Sequence, residues 1–256
     1  MKILAIGDVV GSIGCRFLRQ KLPLLKKQKN VDLVIANGEN SADGNGITPA
    51  SAEFLFSSGV DIITTGNHSF RRREVYSYYD DNPYILRPAN FPEKTTPGKG
   101  MLIYDMGRLQ VCVINLMGCV FLENLKDPYE TIDEILEKNT ARITILDFHA
   151  EATAEKLAMG YYLDGRISAM FGTHTHVQTA DECVFENGMG YITDVGMTGP
   201  IKSVLGVKPE LAIKKQREKL PVRFETADGE CKMDCILFDI DEKSGKTIQI
   251  ERIEIK

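Results

Sequence analysis

Residues Lys2–Asp8 read KILAIGD, and the reading of this stretch decides the fold. Ile3, Leu4, Ala5 and Ile6 form a short apolar run without alternation, the pattern of a strand buried on both faces. A glycine and an aspartate end it. The same grammar recurs outward. Val31–Ala36 is a second apolar run, closing in Asn37-Gly38-Glu39-Asn40, and Val60–Thr65 is a third, closing in Gly66-Asn67-His68. A basic helical stretch from about Ser12 separates the first two, with Pro23 expected to interrupt it. Thr48 offers an N-cap with Pro49 at the first helical position, and Gly59 ends that second helix. Strands alternating with helices require right-handed crossovers and largely parallel pairing.

Beyond residue 100 the pattern changes. Met101–Tyr104 and Leu109–Leu116 predict a hairpin turning at residues 105–108. Thr131 with Glu134 three residues on reads as a capping box for a helix to about Lys138. Arg142–Phe148 and Ile167–Phe171 are further strands. Glu182–Thr193 reads as a hairpin about Asn187-Gly188, and Cys231–Ile255 alternates with period two across a turn at residues 242–246. No repeat, low-complexity tract or linker divides the chain. The expectation is one α/β domain over residues 1–256, with two packed mixed β-sheets flanked by helices.

Composition narrows the function. The chain has 256 residues, 43% hydrophobic and 26% charged, close to the globular average. It buries a sizeable core without needing disulfides or a structural metal, so a metal site here reads as functional. Its 31 basic and 36 acidic residues give a net charge of −5. That excludes a protein held on duplex DNA by bulk charge, but not one holding a nucleotide in a pocket. No stretch approaches the ~20 apolar residues that span a bilayer, and the opening strand carries an acid, unlike a signal peptide. The six cysteines (Cys15, Cys112, Cys119, Cys183, Cys231, Cys235) form no CxxC pair and are expected to be reduced. A cytoplasmic protein with no membrane partner is expected; homo-oligomerisation is left open.

The chemistry lies at the strand ends. The four histidines, His68, His149, His174 and His176, all fall at or just past a predicted strand's C-terminal end, where open α/β sheets place ligands. Asp8, Glu39 and Asn40 close the first two strands, and Asn67 stands beside His68 at the end of the third. Carboxylates, amides and imidazoles on one sheet edge make a mixed nitrogen and oxygen site that suits Fe, Mn, Zn or Ni. The absence of cysteine there argues against a closed structural zinc site. His174 and His176, two apart in extended chain, are expected to share a face. Gly7, Gly38, Gly66 and Gly172 are expected to let the backbone turn sharply beside the ligands.

This order of motifs resembles the calcineurin-like metallophosphoesterases and, more narrowly, their YmdB-like branch of 2′,3′-cyclic-nucleotide 2′-phosphodiesterases. The likeness spans GDVVG (7–11), NGEN (37–40), RPANFP (87–92), DFHAEAT (147–153), GTHTHVQTAD (172–181) and TDVGMTGP (193–200). It implies two transition-metal ions, iron first and manganese or zinc next. Asp8, Glu39, Asn40 and His176 would hold one metal, and Glu39, Asn67, His149 and His174 the second, with Glu39 as the bridge. It further implies hydrolysis of a cyclic nucleotide or short RNA end by a metal-bridged hydroxide. His68 would be the general acid, and the 3′-phosphate the product. Alternatives kept open are a regulatory nucleotide or RNA sensor with little turnover, and a phosphomonoesterase or 5′-nucleotidase.

Val10 stands where the wider superfamily has a histidine, and Asn40 fills that gap. Two departures concern substrate grip. Ser69-Phe70-Arg71 follows His68 where similar chains carry Thr-Trp-Asp, and Cys119 follows Gly118 where they carry arginine. The triplet Arg71–Arg73 could take over a phosphate contact, although a solvated helix start is the plainer reading. Two other stretches are set aside. Ser244–Thr247 matches the tail of a P-loop, but Ile240 occupies the first glycine's place. Residues 7–14 are glycine-rich, but Val9 and Ser12 break the dinucleotide spacing. Lys21, Lys26, Lys27 and Lys29 read as a solvated helix face.

Overall fold

The computed structural model describes residues 1–256. The elements run β1 (Lys2–Ile6), β2 (Asp8–Val9), α1 (Gly11–Lys29), β3 (Leu33–Asn37), α2 (Pro49–Ser57), β4 (Ile62–Thr64), α3 (Tyr76–Asp81), β5 (Ile85–Leu86), β6 (Met101–Asp105) and β7 (Gln110–Met117). They continue as α4 (Pro128–Lys138), β8 (Ile143–His149), α5 (Thr153–Leu163), β9 (Ala169–Thr173), β10 (Cys183–Val184), β11 (Gly190–Ile192), β12 (Met197–Pro200), α6 (Pro209–Glu218), β13 (Cys231–Ile240) and β14 (Thr247–Ile255).

One sheet runs β2-β12-β13-β1-β3-β4-β5, with β14 also paired to β13; the other runs β10-β11-β9-β8-β7-β6. β1, β3, β4 and β5 pair in parallel, as do β7, β8, β9 and β11. The β6–β7, β10–β11 and β13–β14 pairs are antiparallel, where the sequence predicts hairpins.

The period-two alternation of β1 divides its side chains between two cores. Ile3 and Ala5 face the second sheet, packing with Val113, Ile145 and Phe171, whereas Leu4 and Ile6 face Leu18 and Leu22 of α1 and Leu55 of α2. On the far side of the second sheet, Ile114, Leu146 and Phe148 pack with Ile132 of α4 and Met159 and Leu163 of α5. The layers are therefore α/β/β/α. Each fully buried aliphatic side chain contributes roughly 1.5–3 kcal/mol, so the inter-sheet layer fixes how the two sets of strand ends meet.

Two helix expectations are corrected. α1 continues through Pro23 to Lys29 and ends at Asn30 in the left-handed region. Proline removes one backbone donor, but the buried stripe of Cys15, Leu18, Leu22 and Leu25 holds the helix on both sides of it. α4 is capped not by Thr131 but by Asp127, whose carboxylate accepts from the backbone N–H groups of Tyr129 and Glu130 at 2.8 and 3.0 Å, with Pro128 in the first position. Thr131 lies one turn in, buried, with its hydroxyl on the Asp127 carbonyl at 2.8 Å. Strand β9 also sits two residues later than predicted, over 169–173. No helix is long and apolar enough to cross a membrane, and all six cysteines are free thiols.

Candidate metal centre

Both sheets contribute strand ends to one cleft. Asp8 opens β2 directly after β1, Glu39 and Asn40 follow β3, Asn67 and His68 follow β4, His149 ends β8, and His174 and His176 follow β9. The structure brings all eight residues together. Around His149 Nε2 lie Asn67 Oδ1 at 2.9 Å, His174 Nδ1 at 3.1 Å and Glu39 Oε1 at 3.3 Å. Around Asn40 Nδ2 lie His176 Nε2 at 3.3 Å, Glu39 Oε1 at 3.4 Å and Asp8 Oδ1 at 3.5 Å. Glu39 thus touches both groups.

The outer nitrogens of the imidazoles are tied to oxygens. His149 Nδ1 lies 2.9 Å from Thr173 Oγ1, and the threonine hydroxyl donates to Asp147 Oδ1 at 2.8 Å. The hydroxyl's own hydrogen points at the carboxylate, so its oxygen accepts from His149 Nδ1–H, and it is on Nε2 that the ring is free of a proton when neutral. His176 Nδ1 donates to the Leu205 carbonyl at 3.0 Å, and His174 Nε2 meets Glu151 Oε2 at 2.8 Å. Such outer bonds are how metal-ligating histidines are oriented. Around His149 the inner atoms of the neutral rings are then lone pairs facing lone pairs. One proton on His149 Nε2 serves only one of its three close neighbours, whereas a cation serves all of them. Glu39, His149 and His174 offer donors within 4.8 Å of one another, and no thiolate is present. The residues fit divalent metal ions.

The electrostatics agree. Burial alone would raise the Asp8 and Glu39 carboxyls, but His176 beside Asp8 and His149 beside Glu39 outweigh it and hold both low. Burial would depress His149, yet the Glu39, Asp8 and Asp147 carboxylates push it up to about 9. Asp8 likewise raises His176 against burial. Burial lowers His68 and His174, with Arg71 adding to the first and His149 to the second. Beneath the cleft, burial pushes Asp147 up to about 7.

Two local expectations change. His174 and His176 do not converge through extended chain; both have positive φ, 102° and 61°. Left-handed backbone at non-glycine residues is strained and persists only where neighbours enforce it. Here Lys156 and Asp194 do so. The Lys156 ammonium donates to the Thr173 carbonyl at 2.8 Å and to Asp194 Oδ2 at 2.7 Å, and that carboxylate accepts the Thr175 N–H at 3.1 Å. The four glycines Gly7, Gly38, Gly66 and Gly172 also lack positive φ. What they supply is room, most clearly at Gly66, where a Cβ would lie 2.2–2.4 Å from the His149 ring.

His68 stands apart from the other imidazoles. Its backbone N–H donates to Glu39 Oε2 at 2.9 Å, and its Nδ1 lies 2.8 Å from Asn40 Oδ1. Its ring lines the cleft, which has a volume of about 330 Å3. Of the arginine triplet, Arg71 and Arg73 are exposed, whereas Arg72 is bonded to the carbonyls of Asp43 and Asn45 at 2.6 and 3.1 Å and pins the loop on the cleft's edge. At Cys119 the backbone N–H donates to Glu155 Oε1 at 2.8 Å. Asp147, Glu151, Lys156, Thr173, Asp194 and the Leu205 carbonyl are the supporting groups that sequence reasoning did not single out.

Comparison with known proteins places the chain. Residues 4–253 match the model of the family described as YmdB-like protein. Over 257 residues the chain is 47% identical to a Bacillus subtilis protein named 2′,3′-cyclic-nucleotide 2′-phosphodiesterase, covering 100% of this chain and 97% of that one. A Thermus thermophilus crystal structure described only as a hypothetical protein superposes with a TM-score of 0.94 at 37% identity, covering 100% and 99% of the two chains. A Mycoplasma pneumoniae structure described as a novel phosphatase gives 0.95 at 33% identity, covering 100% and 93%. The chain belongs to the YmdB-like protein family, with the metallophosphoesterase-like fold and the phosphoester-hydrolase class of that family's named members.

Proposed function

We propose that the chain is a two-metal phosphodiesterase that opens 2′,3′-cyclic nucleotides, or the cyclic end of a short RNA, to the 3′-phosphate. The observation that carries this reading is the division of the donors at Glu39. Asp8, Asn40 and His176 lie on one side, Asn67, His149 and His174 on the other, and the Glu39 carboxylate reaches a member of each set at 3.3–3.4 Å. These seven residues would hold the ions; an all nitrogen and oxygen set suits Fe, Mn, Zn or Ni, and among these the family resemblance puts iron first, with manganese or zinc next. When bound, two such ions supply positive charge to the phosphoryl oxygens and lower the pKa of a water.

His68 is the group we assign to the leaving oxygen. The two ends of the Asn40 amide have the same shape, so exchanging its oxygen and nitrogen keeps the heavy-atom contacts of 2.8 Å to His68 and 3.3 Å to His176. With Oδ1 among the donors, the amide N–H donates to His68 Nδ1. The imidazole's own proton then sits on Nε2, which has no protein partner. Burial holds His68 below the ordinary histidine value, so the neutral ring would act by donating an Nε2–H hydrogen bond to the charge that develops on the leaving oxygen, with full proton transfer from the ring once it is protonated. General-acid help of this kind is worth typically about 10²–10⁴-fold.

The substrate class rests on the cleft's flank and on the relative's name. Val10, Leu205, Val207 and Phe224 line the same cleft as the donors, and Phe224 is 45% exposed. An apolar wall with an uncovered ring beside a phosphate position suits a nucleoside. Metal analysis of anaerobically purified protein, run beside a panel of 2′,3′-cyclic AMP, 3′,5′-cyclic AMP and 5′-AMP, tests the proposal. About two ions per chain and selective release of 3′-AMP are expected. A preference for 5′-AMP, or full activity with no metal, would overturn it.

A further inference from the structure

The RPANFP segment has no part in the metal centre, yet it builds the inner wall of a second cavity. This cavity has a volume of about 610 Å3 and shares no lining residue with the first. Arg87 lies in that wall with only 3% of its surface exposed. Its Nη1 donates to the Pro88 and Ala89 carbonyls at 2.9 and 3.4 Å, while its buried Nε has no partner. Arg87 has Glu93 in the same lining but no ion-pair contact with it; a buried guanidinium left without such a partner is costly to keep, and arginine's planar fork is built for oxyanions.

The remaining charges of the lining point the same way. The Arg87 N–H donates to the Lys99 carbonyl at 3.0 Å, so the two residues are backbone neighbours, and both line the cavity. Lys126 is paired with Glu134 at 2.6 Å, leaving Arg87, Lys99 and Lys138 against Glu93 alone. A local excess of two positive charges, on a chain whose net charge is −5, matches a phosphomonoester dianion better than a single carboxylate. Phe91 and Ile135 add apolar wall beside the cations.

We propose that this cavity binds a phosphate-bearing ligand, with Arg87 as its buried donor, Lys99 and Lys138 at its rim, and an apolar portion against Phe91 and Ile135. The cavity is joined to the metal centre through its wall. Asn90 bonds both the N–H and the carbonyl of Met117 at 3.1 and 2.8 Å, and Met117 is paired with His149 across β7 and β8. The Phe91 ring rests on Phe70, two residues from His68, with centroids 5.4 Å apart. The phosphate could be that of a free ligand or a distal phosphate of a longer substrate.

Calorimetric titration of the metal-loaded full chain with orthophosphate and with 5′-AMP tests this, with adenosine as the uncharged control. Two phosphate sites are expected. K99E/K138E should weaken one of them by about tenfold or more and spare the other. R87M should remove the same one; if R87M does not fold, the lysine pair, whose fold is checked by circular dichroism, decides. A rise in KM for a dinucleotide with a 2′,3′-cyclic end in K99E/K138E identifies the substrate's own phosphate, and an unchanged KM identifies a free ligand. A single phosphate site, or two sites both indifferent to K99E/K138E, would overturn the proposal.

Discussion

The ammonium of Lys156 and the carboxylate of Asp194 meet at 2.7 Å with neither side chain exposed. This ion pair lies behind the strained turn that carries His174 and His176, and it is joined to that turn through the Thr173 carbonyl and the Thr175 N–H. Lys156→Met leaves the Asp194 charge buried and unpaired, which costs about 3–5 kcal/mol. Urea unfolding should show that loss, together with weaker metal binding. Lys156→Met combined with Asp194→Asn should recover much of the stability but not the metal affinity, because the turn loses its anchor in both. Equal recovery of both would reduce the pair to a stability role.

Glu39 is predicted to serve both metals. Replacing its charge by an amide in Glu39→Gln should lower the affinity for both ions together, by about tenfold or more each, while the fold is kept. Competition against a chromophoric chelator reads the two affinities separately. Retention of either ion at its original affinity removes Glu39 from the bridging position.

Metal uptake should depend on pH through His149. In the metal-free chain this imidazole is raised to about 9, above its unfolded value. It therefore favours the folded state below about pH 6.5, and that contribution is lost as pH rises through 9. Asp147, raised to about 7, has the same sign over a lower window: its contribution is lost as pH climbs from the ordinary carboxylate range through 7. The chelated protein should melt at progressively lower temperature between pH 7 and 9. Over the same window a metal displaces fewer protons, so its apparent affinity should rise, by up to about tenfold per pH unit for each proton released, and level off above pH 9. Calorimetry in buffers of different ionisation enthalpy counts the protons. A pH-independent affinity contradicts the assignment of His149.

Much of this candidate site is legible in the sequence because parallel strands announce themselves as apolar runs and deliver candidate ligands at their ends. Asp8, Asn67 and His149 follow from that rule alone. The supporting groups are hidden for physical reasons. Lys156 sits in helix α5, where a lone lysine reads as solvated, and only the fold reveals that its ammonium is buried on Asp194. The Leu205 carbonyl that orients His176 belongs to the backbone and has no residue signature. The left-handed φ of His174 and His176 is imposed by tertiary contacts, so the extended pair expected from local pattern gives way. Asp127-Pro128 likewise displaces the Thr131 capping box, since a carboxylate cap followed by proline starts the helix one turn earlier.

The sharpest test separates the proposed proton-donating pair, Asn40 and His68, from the other candidate ligands around them. His68→Ala should keep near-normal metal content, since its ring contacts Asn40 and Glu39 rather than the three other imidazoles. It should lose about 10²-fold or more in kcat on a cyclic nucleotide, and much less on a p-nitrophenyl ester, whose leaving group needs little protonation. Asn40→Asp gives the complementary result. A carboxylate still offers an oxygen to a metal, but it can only accept from His68 Nδ1, which moves the ring's proton away from Nε2. Metal content should hold while kcat on the poor leaving group falls toward that of His68→Ala. The two changes combined should cost little more than either alone, because both remove the same proton. Additive losses, or equal slowing of good and poor leaving groups, would show that Asn40 and His68 do not act as one proton-donating unit.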